Sequence, residues 1–185
     1  ICAALICIAA TAQTTDYAKL VNPFIGTDGK GNVYPGAQAP FGMVQLSPDN
    51  GLPGWDRIAG YFYPDSTIAG FSHTHLTGTG AGDLYDISFM PVTLPYNEAE
   101  APLGIHSKFS HDSEVAEAGY YKVLLDDYNI QVELTATERC GIQRYTFPKA
   151  NASVFLNLTK AMNWDATKES HIEFTDSVTI KGYRF

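Results

Sequence analysis

Residues 120–148, YYKVLLDDYNIQVELTATERCGIQRYTFP, carry the clearest structural pattern in the chain. Three short runs in this stretch are rich in β-branched and aromatic side chains, and their apolar positions alternate with polar ones. A period of two is typical of strands that bury one face, whereas an amphipathic helix repeats every three to four residues. Aspartate, asparagine and glycine separate the runs and favour turns. The stretch therefore predicts consecutive antiparallel strands.

The same kind of pattern continues on both sides of this stretch. The segments GMVQLSP, DISFMPVTL, SVFLNLT, HIEFTD and SVTIKGYRF are short and strand-like, and turn-forming residues separate most of them. Regular short strands without intervening helices point to an antiparallel sandwich or barrel. Residues 110–118, SHDSEVAEA, have a composition that suits a helix of at most about two turns. Residues 22–91 are dense in glycine, proline and polar side chains, so we expect the functional loops there.

The composition of the 185-residue chain excludes two classes of partner. Hydrophobic residues make up 45% and charged residues 17%, as in an ordinary folded domain. The formal net charge is -8, and no run of lysine or arginine occurs. Nucleic acids and anionic membrane surfaces both require clustered positive charge, so we expect neither as a partner. Eleven tyrosines, ten phenylalanines and two tryptophans suit neutral, polar ligands on which a ring can stack, such as sugars.

Residues 1–12, ICAALICIAATA, have the character of an export signal. They are uncharged and almost wholly apolar, and their last three residues have the small-x-small pattern of a cleavage site. We expect cleavage before Gln13 and a mature domain over residues 13–185, located in the periplasm or outside the cell. An apolar first strand is the alternative, although alanine-rich segments form poor strands. Acylation of Cys7 is disfavoured because Ile6 is too bulky for the position before a lipidated cysteine.

Removal of the signal would leave Cys140 as the one cysteine of residues 13–185. An internal disulfide and a cysteine-based zinc site are therefore excluded for this part of the sequence. An unpaired thiol in an exported protein is most often buried, so we expect Cys140 in the core.

Residues 70–83, GFSHTHLTGTGAGD, combine histidines, threonines and glycines between two strand-like segments. On a strand, His73 and His75 would lie on the same face and could share a metal ion. A catalytic zinc site needs a third ligand, however, and no other histidine or aspartate falls at a recognisable ligand spacing. The GTGAG run does not match the dinucleotide or phosphate-loop patterns. Glycine density permits close approach of the backbone to a ligand, and the adjacent hydroxyls and imidazoles suit a neutral polyol.

Trp55 lies between Gly54 and Asp56 in an irregular segment. An exposed tryptophan beside a carboxylate is a common sugar contact, because the ring covers the apolar C–H face while the carboxylate accepts hydrogen bonds from hydroxyls. The alternative is a tryptophan that packs under its own loop. The spacing of the residues leaves both interpretations open.

Several long motifs occur in a fixed order, namely VNPFIGTDGKGNVYPGAQAPFGMVQLSPD, GWD, AGYFY, GFSHTHLTGTGAGDLYDISFMP, FSHDSEVAEAGYYKV and ELTATERCGIQRYTFP. Together they resemble the N-terminal domain of glycoside hydrolase family 92, the calcium-dependent exo-acting α-mannosidases, over about residues 17–185. The resemblance implies a β-sandwich of the galactose-mutarotase type, a supersandwich that we expect to be incomplete at its C-terminal end. It also implies a helical-toroid catalytic domain that follows in the same polypeptide.

The resemblance further implies hydrolysis of terminal α-linked mannose from glycans with inversion. In the family, a glutamic acid protonates the leaving oxygen, an aspartate activates water, and a calcium ion contacts the sugar. These groups belong to the C-terminal domain, so we expect no catalytic or metal-binding residue in this chain and no activity from it alone. The N-terminal loops close the mannose pocket from the opposite side. The substrate-binding residues that the resemblance implies are Trp55, Asp56, His73, His75, Gly78, Thr79 and Gly80.

Two stretches depart from the family pattern beside these loops. Lys30 and Asn32 occupy positions where the family often has histidines, and Arg57-Ile58 follow GWD where a bulky or cysteine residue is common. The resemblance therefore implies no particular mannosidic linkage. A second hypothesis, from a different class, is a free-standing carbohydrate-binding or adhesion module of the same sandwich fold. The reading frame after Phe185 would discriminate the two hypotheses.

Overall fold

The computed structural model describes residues 15–82, 84–93, 104–148, 151–161 and 166–185. The predicted export signal, residues 1–12, lies outside the described residues. Among those that are described, no helix is both long and apolar enough to cross a membrane.

Short strands account for most of the regular structure, and one-turn 3-10 helices lie at Tyr17–Leu20, Trp55–Arg57 and His111–Ser113. In chain order the strands are β1 (Ala37–Gln38), β2 (Gln45–Asp49), β3 (Thr67–Ile68), β4 (Gly70–Ser72), β5 (Ser88–Thr93), β6 (Ser107–Lys108), β7 (Val115–Glu117), β8 (Tyr120–Leu125), β9 (Ile130–Ala136), β10 (Gly141–Thr146), β11 (Ala152–Asn157), β12 (Ser170–Phe174) and β13 (Ile180–Arg184).

Two larger sheets form a sandwich. One has the strand order β1-β2-β4-β5-β11 and the other the order β10-β9-β8-β7, and the strand pairs within them are antiparallel. No strand pairing joins the two sheets in the described part of the chain, and their inner faces pack on each other as in a sandwich. Two small antiparallel pairs, β3-β6 and β12-β13, complete the set. The prediction of a mainly β, antiparallel sandwich is confirmed.

The core lies between the inner faces of the two sheets. Alternate residues of β8 and β9 are fully buried, namely Tyr121, Val123, Leu125, Ile130, Val132 and Leu134. They belong to the same apolar cluster as Leu46, Phe71, Met90 and Val92 of the opposite sheet. Each such side chain contributes roughly 1.5–3 kcal/mol on burial. The period-two pattern in the sequence therefore identifies the inner face of the second sheet.

The predicted helix at residues 110–118 is largely wrong. Only His111–Ser113 form a 3-10 turn, which the Ser110 hydroxyl caps by accepting from the amide of Asp112 at 3.2 Å. Val115–Glu117 then pair with β8 as strand β7. Pairing with a neighbouring strand outweighs the helical preference of a segment too short to form a stable helix by itself.

Cys140 is exposed, so the prediction that it lies in the core is wrong. It lies in the turn between β9 and β10, where its amide donates to the Thr137 hydroxyl at 3.1 Å and its carbonyl accepts from the Thr137 amide at 2.8 Å. The turn directs the residue away from the inner faces of the sheets. Position in a turn therefore outweighs the usual preference of a thiol for the interior.

Candidate functional site

Three irregular segments meet at one edge of the sandwich. We name them loop 1 (residues 22–36), loop 2 (residues 50–66) and loop 3 (residues 73–87, of which residue 83 is not described). The amide of Tyr63 in loop 2 donates to the carbonyl of Thr27 in loop 1 at 2.9 Å. The amide of Gly78 in loop 3 donates to the carbonyl of Asn32 in loop 1 at 2.6 Å. The glycine-rich and polar part of the sequence thus forms one continuous cluster of loops.

Trp55 begins the 3-10 turn of loop 2, and its side chain is 63% exposed. Asp56, which follows it, is also exposed. Arg57 anchors the turn, because its guanidinium forms two hydrogen bonds to the carboxylate of Asp65 and lies 4.8 Å from the centre of the Phe62 ring. The side chain of Trp55 is therefore mostly exposed and is not buried under its own loop. The turn presents an indole and a carboxylate to the outside of the loop cluster.

His73 and His75 do not share the face of a strand, because β4 ends at Ser72. His73 is partly buried at the start of loop 3, where its Nδ1 lies 2.8 Å from the carbonyl oxygen of Ile87. Its ring meets Phe89 edge to face at 5.4 Å. Burial lowers the pKa of His73 below its usual value, which favours the neutral imidazole.

His75 is only 3% exposed, and its ring lies inside the loop cluster. Nδ1 is 2.7 Å from the backbone oxygen of Gln45, and Nε2 is 2.8 Å from Asp49 Oδ1 and 3.1 Å from the Ser72 hydroxyl. Protein groups therefore occupy both ring nitrogens. In this arrangement His75 holds β2 and β4 to loop 3 and does not face a ligand at the surface.

Asp49, at the end of β2, is the centre of this buried network. It is 1% exposed, and its Oδ2 accepts a hydrogen bond from Lys160 Nζ at 3.1 Å. Lys160 and His75 therefore share one carboxylate, each on a different oxygen. Burial by itself would raise the pKa of Asp49, but the charge of Lys160 and the contacts with His75 lower it to about 2. No local signal in the sequence connects Asp49 with a lysine 111 positions later.

Gly78, Thr79 and Gly80 form the outer part of loop 3. Gly78 has a φ of +67°, and a Cβ added at Gly78 or Gly80 would meet no atom within 4 Å. The Thr79 hydroxyl accepts from the amide of Ala81 at 2.9 Å. Behind the loop, Asn32 Oδ1 is a buried oxygen to which no donor is found in the described part of the chain. The open space around both glycines leaves the backbone accessible.

The described residues bring together no group of three or more histidine, cysteine, aspartate or glutamate side chains that could hold a metal ion. The shared metal site considered for His73 and His75 therefore has no support from their placement, since one ring faces Ile87 and the other Asp49.

A cleft of about 720 Å³ lies beside loop 2, and sequence reasoning missed it. Asp49, Lys160 and Asn157 supply polar groups to its wall, while Met90 and Phe155 supply apolar ones. The predicted site residues at positions 55, 56, 73 and 78–80 do not line it. The cleft assembles residues from β2, β5 and β11, which are far apart in sequence, so no linear motif could indicate it.

Comparison with known proteins places this sandwich in a family. Residues 20–185 match the model of the glycosyl hydrolase family 92 N-terminal domain. The chain superposes with a TM-score of 0.85 and 41% identity on the family GH92 α-mannosidase BT3965 from Bacteroides thetaiotaomicron, whose structure contains mannoimidazole. It superposes with a TM-score of 0.65 and 28% identity on the family GH92 inverting mannosidase BT2199 from the same organism. These alignments cover 92% and 79% of this chain.

A secreted glycosidase of Arthroderma benhamiae, otherwise uncharacterised, is 28% identical over 144 residues, which cover 74% of this chain. The chain spans less than a quarter of each of these relatives, namely 23% of the first mannosidase, 20% of the second and 18% of the fungal glycosidase. The family match extends over nearly the whole chain and agrees with the observed sandwich. The chain therefore belongs to glycoside hydrolase family 92, as an N-terminal domain of that family.

Proposed function

We propose that this chain is the substrate-side domain of an exported α-mannosidase that removes terminal α-linked mannose from glycans with inversion. The mannosidases among the matched structures support the substrate, and the relative described as an inverting mannosidase supports the stereochemistry. The secreted fungal relative supports export. In this proposal the loop cluster closes the mannose pocket opposite a catalytic domain of the same polypeptide.

The observation that carries the proposal is the exposed Trp55 on an anchored turn. An indole that is 63% exposed can cover the apolar C–H face of a pyranose. Asp56 beside it can accept hydrogen bonds from sugar hydroxyls. The Arg57–Asp65 pair fixes the turn before a ligand arrives, so little ordering is needed on binding. His73, Thr79 and the backbone of Gly78 and Gly80 would contribute from loop 3.

The catalytic acid, the catalytic base and the calcium ligands belong, in this proposal, to residues outside this chain. Calcium takes six to eight oxygen ligands, with carboxylates prominent among them. The described residues group no three acidic, histidine or cysteine side chains for such an ion, so they do not fit it by themselves. We accordingly propose that the chain alone hydrolyses no α-mannoside, with or without calcium.

Replacement of Trp55 by alanine in the full-length enzyme should lower kcat/KM for α-mannosides by about ten- to hundredfold. This corresponds to the loss of an anchoring aromatic contact of about 1–3 kcal/mol. Because the groups that transfer protons lie, in this proposal, outside this chain, the pH profile should keep its shape. Steady-state kinetics across a pH series, together with the thermal midpoint, would test this.

Two matched variants control this experiment. Trp55→Phe keeps a smaller ring and should retain part of the activity. Phe174→Ala removes another exposed aromatic side chain, on β12, and should leave the kinetics unchanged. An unchanged kcat/KM in Trp55→Ala beside a reduced thermal midpoint would show that the indole serves only to pack its loop.

Export is tested independently of the catalytic proposal. We expect the mature protein to begin at Gln13, which places the cleavage after the apolar segment of residues 1–12. N-terminal sequencing of protein recovered from the periplasm or medium should show this residue. Retention of Ile1, or a lipid on Cys7, would contradict the proposal.

A further inference from the structure

Tyr85 occupies an unusual backbone position in loop 3. Its φ is +68°, and the nearby residues Leu84 and Ile87 have φ values of +77° and +56°. Side chains other than glycine adopt this region rarely, and for a β-branched residue such as isoleucine the conformation is an outlier. Such conformations persist where the surrounding structure holds them, and they concentrate at functional sites. The residue is nevertheless 3% exposed, so the strained backbone carries a buried side chain.

The phenol of Tyr85 binds the far end of the turn that carries Trp55. Its Oη lies 2.9 Å from the carbonyl oxygen of Arg57 and 3.0 Å from that of Ile58. Burial raises the pKa of Tyr85, so the phenol keeps its proton and donates it to these two carbonyls. Carbonyls at the end of a helical turn need such a donor. The hydroxyl of Tyr85 thereby connects loop 3 to the turn of loop 2.

The ring of Tyr85 is held on its other side by the buried network. It meets the ring of His75 edge to face at 5.4 Å. A Cβ added at Gly60 would lie 2.8 Å from Tyr85 Cε1 and 2.6 Å from Asp49 Oδ1, so the backbone of Gly60 packs closely against one edge of the ring. His75 and Gly60 therefore hold the ring, and the hydroxyl of the ring holds the turn.

We propose that Tyr85 is a positioning residue for substrate binding, which sets the orientation of Trp55 toward the sugar through its hydrogen bonds to Arg57 and Ile58. This inference rests on the proposed function of Trp55 as a sugar contact. Tyr85 acts through the turn, so its hydroxyl should influence binding of the mannoside and not the proton-transfer steps.

The test is a double-mutant cycle in the full-length enzyme with Tyr85→Phe and Trp55→Ala. Tyr85→Phe deletes only the hydroxyl and keeps the ring that packs on His75. It should raise KM about three- to tenfold at nearly constant kcat and unchanged pH profile, since the hydroxyl that both carbonyls share is lost. In the Trp55→Ala background the same change should have little further effect.

Tyr61→Phe is the matched control, because Tyr61 is also buried and its hydroxyl donates to Glu114 at 2.9 Å, in the core.

Hydrogen exchange supplies a second measurement that does not depend on activity. In Tyr85→Phe the amides of Ile58 and Gly60, which bond to the carbonyls of Trp55 and Arg57, should exchange faster than in the parent protein. In Tyr61→Phe they should not.

The outcomes separate this inference from the proposed function. If Trp55→Ala lowers kcat/KM while Tyr85→Phe leaves KM unchanged, or adds its full effect to that of Trp55→Ala, the positioning role is wrong and the sugar contact stands. If Trp55→Ala has no kinetic effect, the sugar contact is wrong and the positioning role fails with it. Equal changes in KM for Tyr85→Phe and Tyr61→Phe would show a general loss of stability and would also overturn the inference.

Discussion

Replacement of Asp49 by alanine is expected to destabilise the domain by about 3–5 kcal/mol, the usual cost of removing one partner from a buried ion pair. The carboxylate is 1% exposed, and its loss would leave Lys160 Nζ and His75 Nε2 without the oxygen that each now contacts. Native-state hydrogen exchange at the amides of β2 and β4 in the full-length protein would measure the free energy of opening. Asp49→Asn keeps the shape and should cost less. Exchange rates equal to those of the parent protein in Asp49→Ala would contradict the assigned role.

The same carboxylate should make stability depend on pH. The pKa of Asp49 is about 2 in the folded state, against 3.8 for an ordinary aspartate, so the folded state favours the ionised form. A lowered pKa contributes stability that is fully present above the unfolded value and is lost as the pH falls through the folded value. The contribution is on the order of 2 kcal/mol. The difference in thermal midpoint between the parent protein and Asp49→Asn should therefore shrink between pH 4 and pH 2.

Replacement of Gly60 by alanine is the second change for which we expect a large effect, a destabilisation of about 2–4 kcal/mol. The residue has a φ of +91°, which an alanine adopts with strain, and the new Cβ would lie 2.6 Å from Asp49 Oδ1 and 2.8 Å from Tyr85 Cε1. The thermal midpoint and the hydrogen exchange of loop 2 would both report the loss.

Gly78→Ala is the matched control for Gly60→Ala. Gly78 also has a positive φ, +67°, but a Cβ there meets nothing within 4 Å. It should therefore cost only the backbone strain, about 1 kcal/mol. Equal losses in the two variants would show that crowding by Asp49 and Tyr85 is not the reason why position 60 requires glycine.

Much of the fold could be predicted because its signal is local. Strands β8 and β9 bury every second residue, and the alternation of apolar and polar positions between Tyr120 and Ala136 is visible without any knowledge of partners. The exposure of Trp55 was an open question, since an irregular segment can either cover a ring or present it. In the structure the indole of Trp55 is exposed, on a turn that the Arg57–Asp65 pair holds. These two residues are only eight positions apart in the chain.

The parts that could not be predicted depend on contacts between distant segments. His75 was predicted beside His73 on one strand face, but the bond to Asp49, 26 residues earlier, draws it into the interior. The helix expected at residues 110–118 becomes a strand because β8 is available as a partner. Cys140 was predicted to be buried because a thiol is apolar, but it lies in a turn that Thr137 closes. Its exposure therefore follows from a local backbone contact and not from its apolar character.

The distance along the chain between Asp49 and Lys160 also bears on how the nascent polypeptide acquires its structure. Strands β8, β9 and β10 pair with their sequence neighbours, as in the contacts of Leu125 with Ile130 and of Ala136 with Gly141. The contact between Asp49 and Lys160 closes a segment of 111 residues, and such long closures cost more entropy and slow folding. We therefore expect the meander of β8 to β10 to form first. The Asp49–Lys160 contact can form only after residue 160 has left the ribosome.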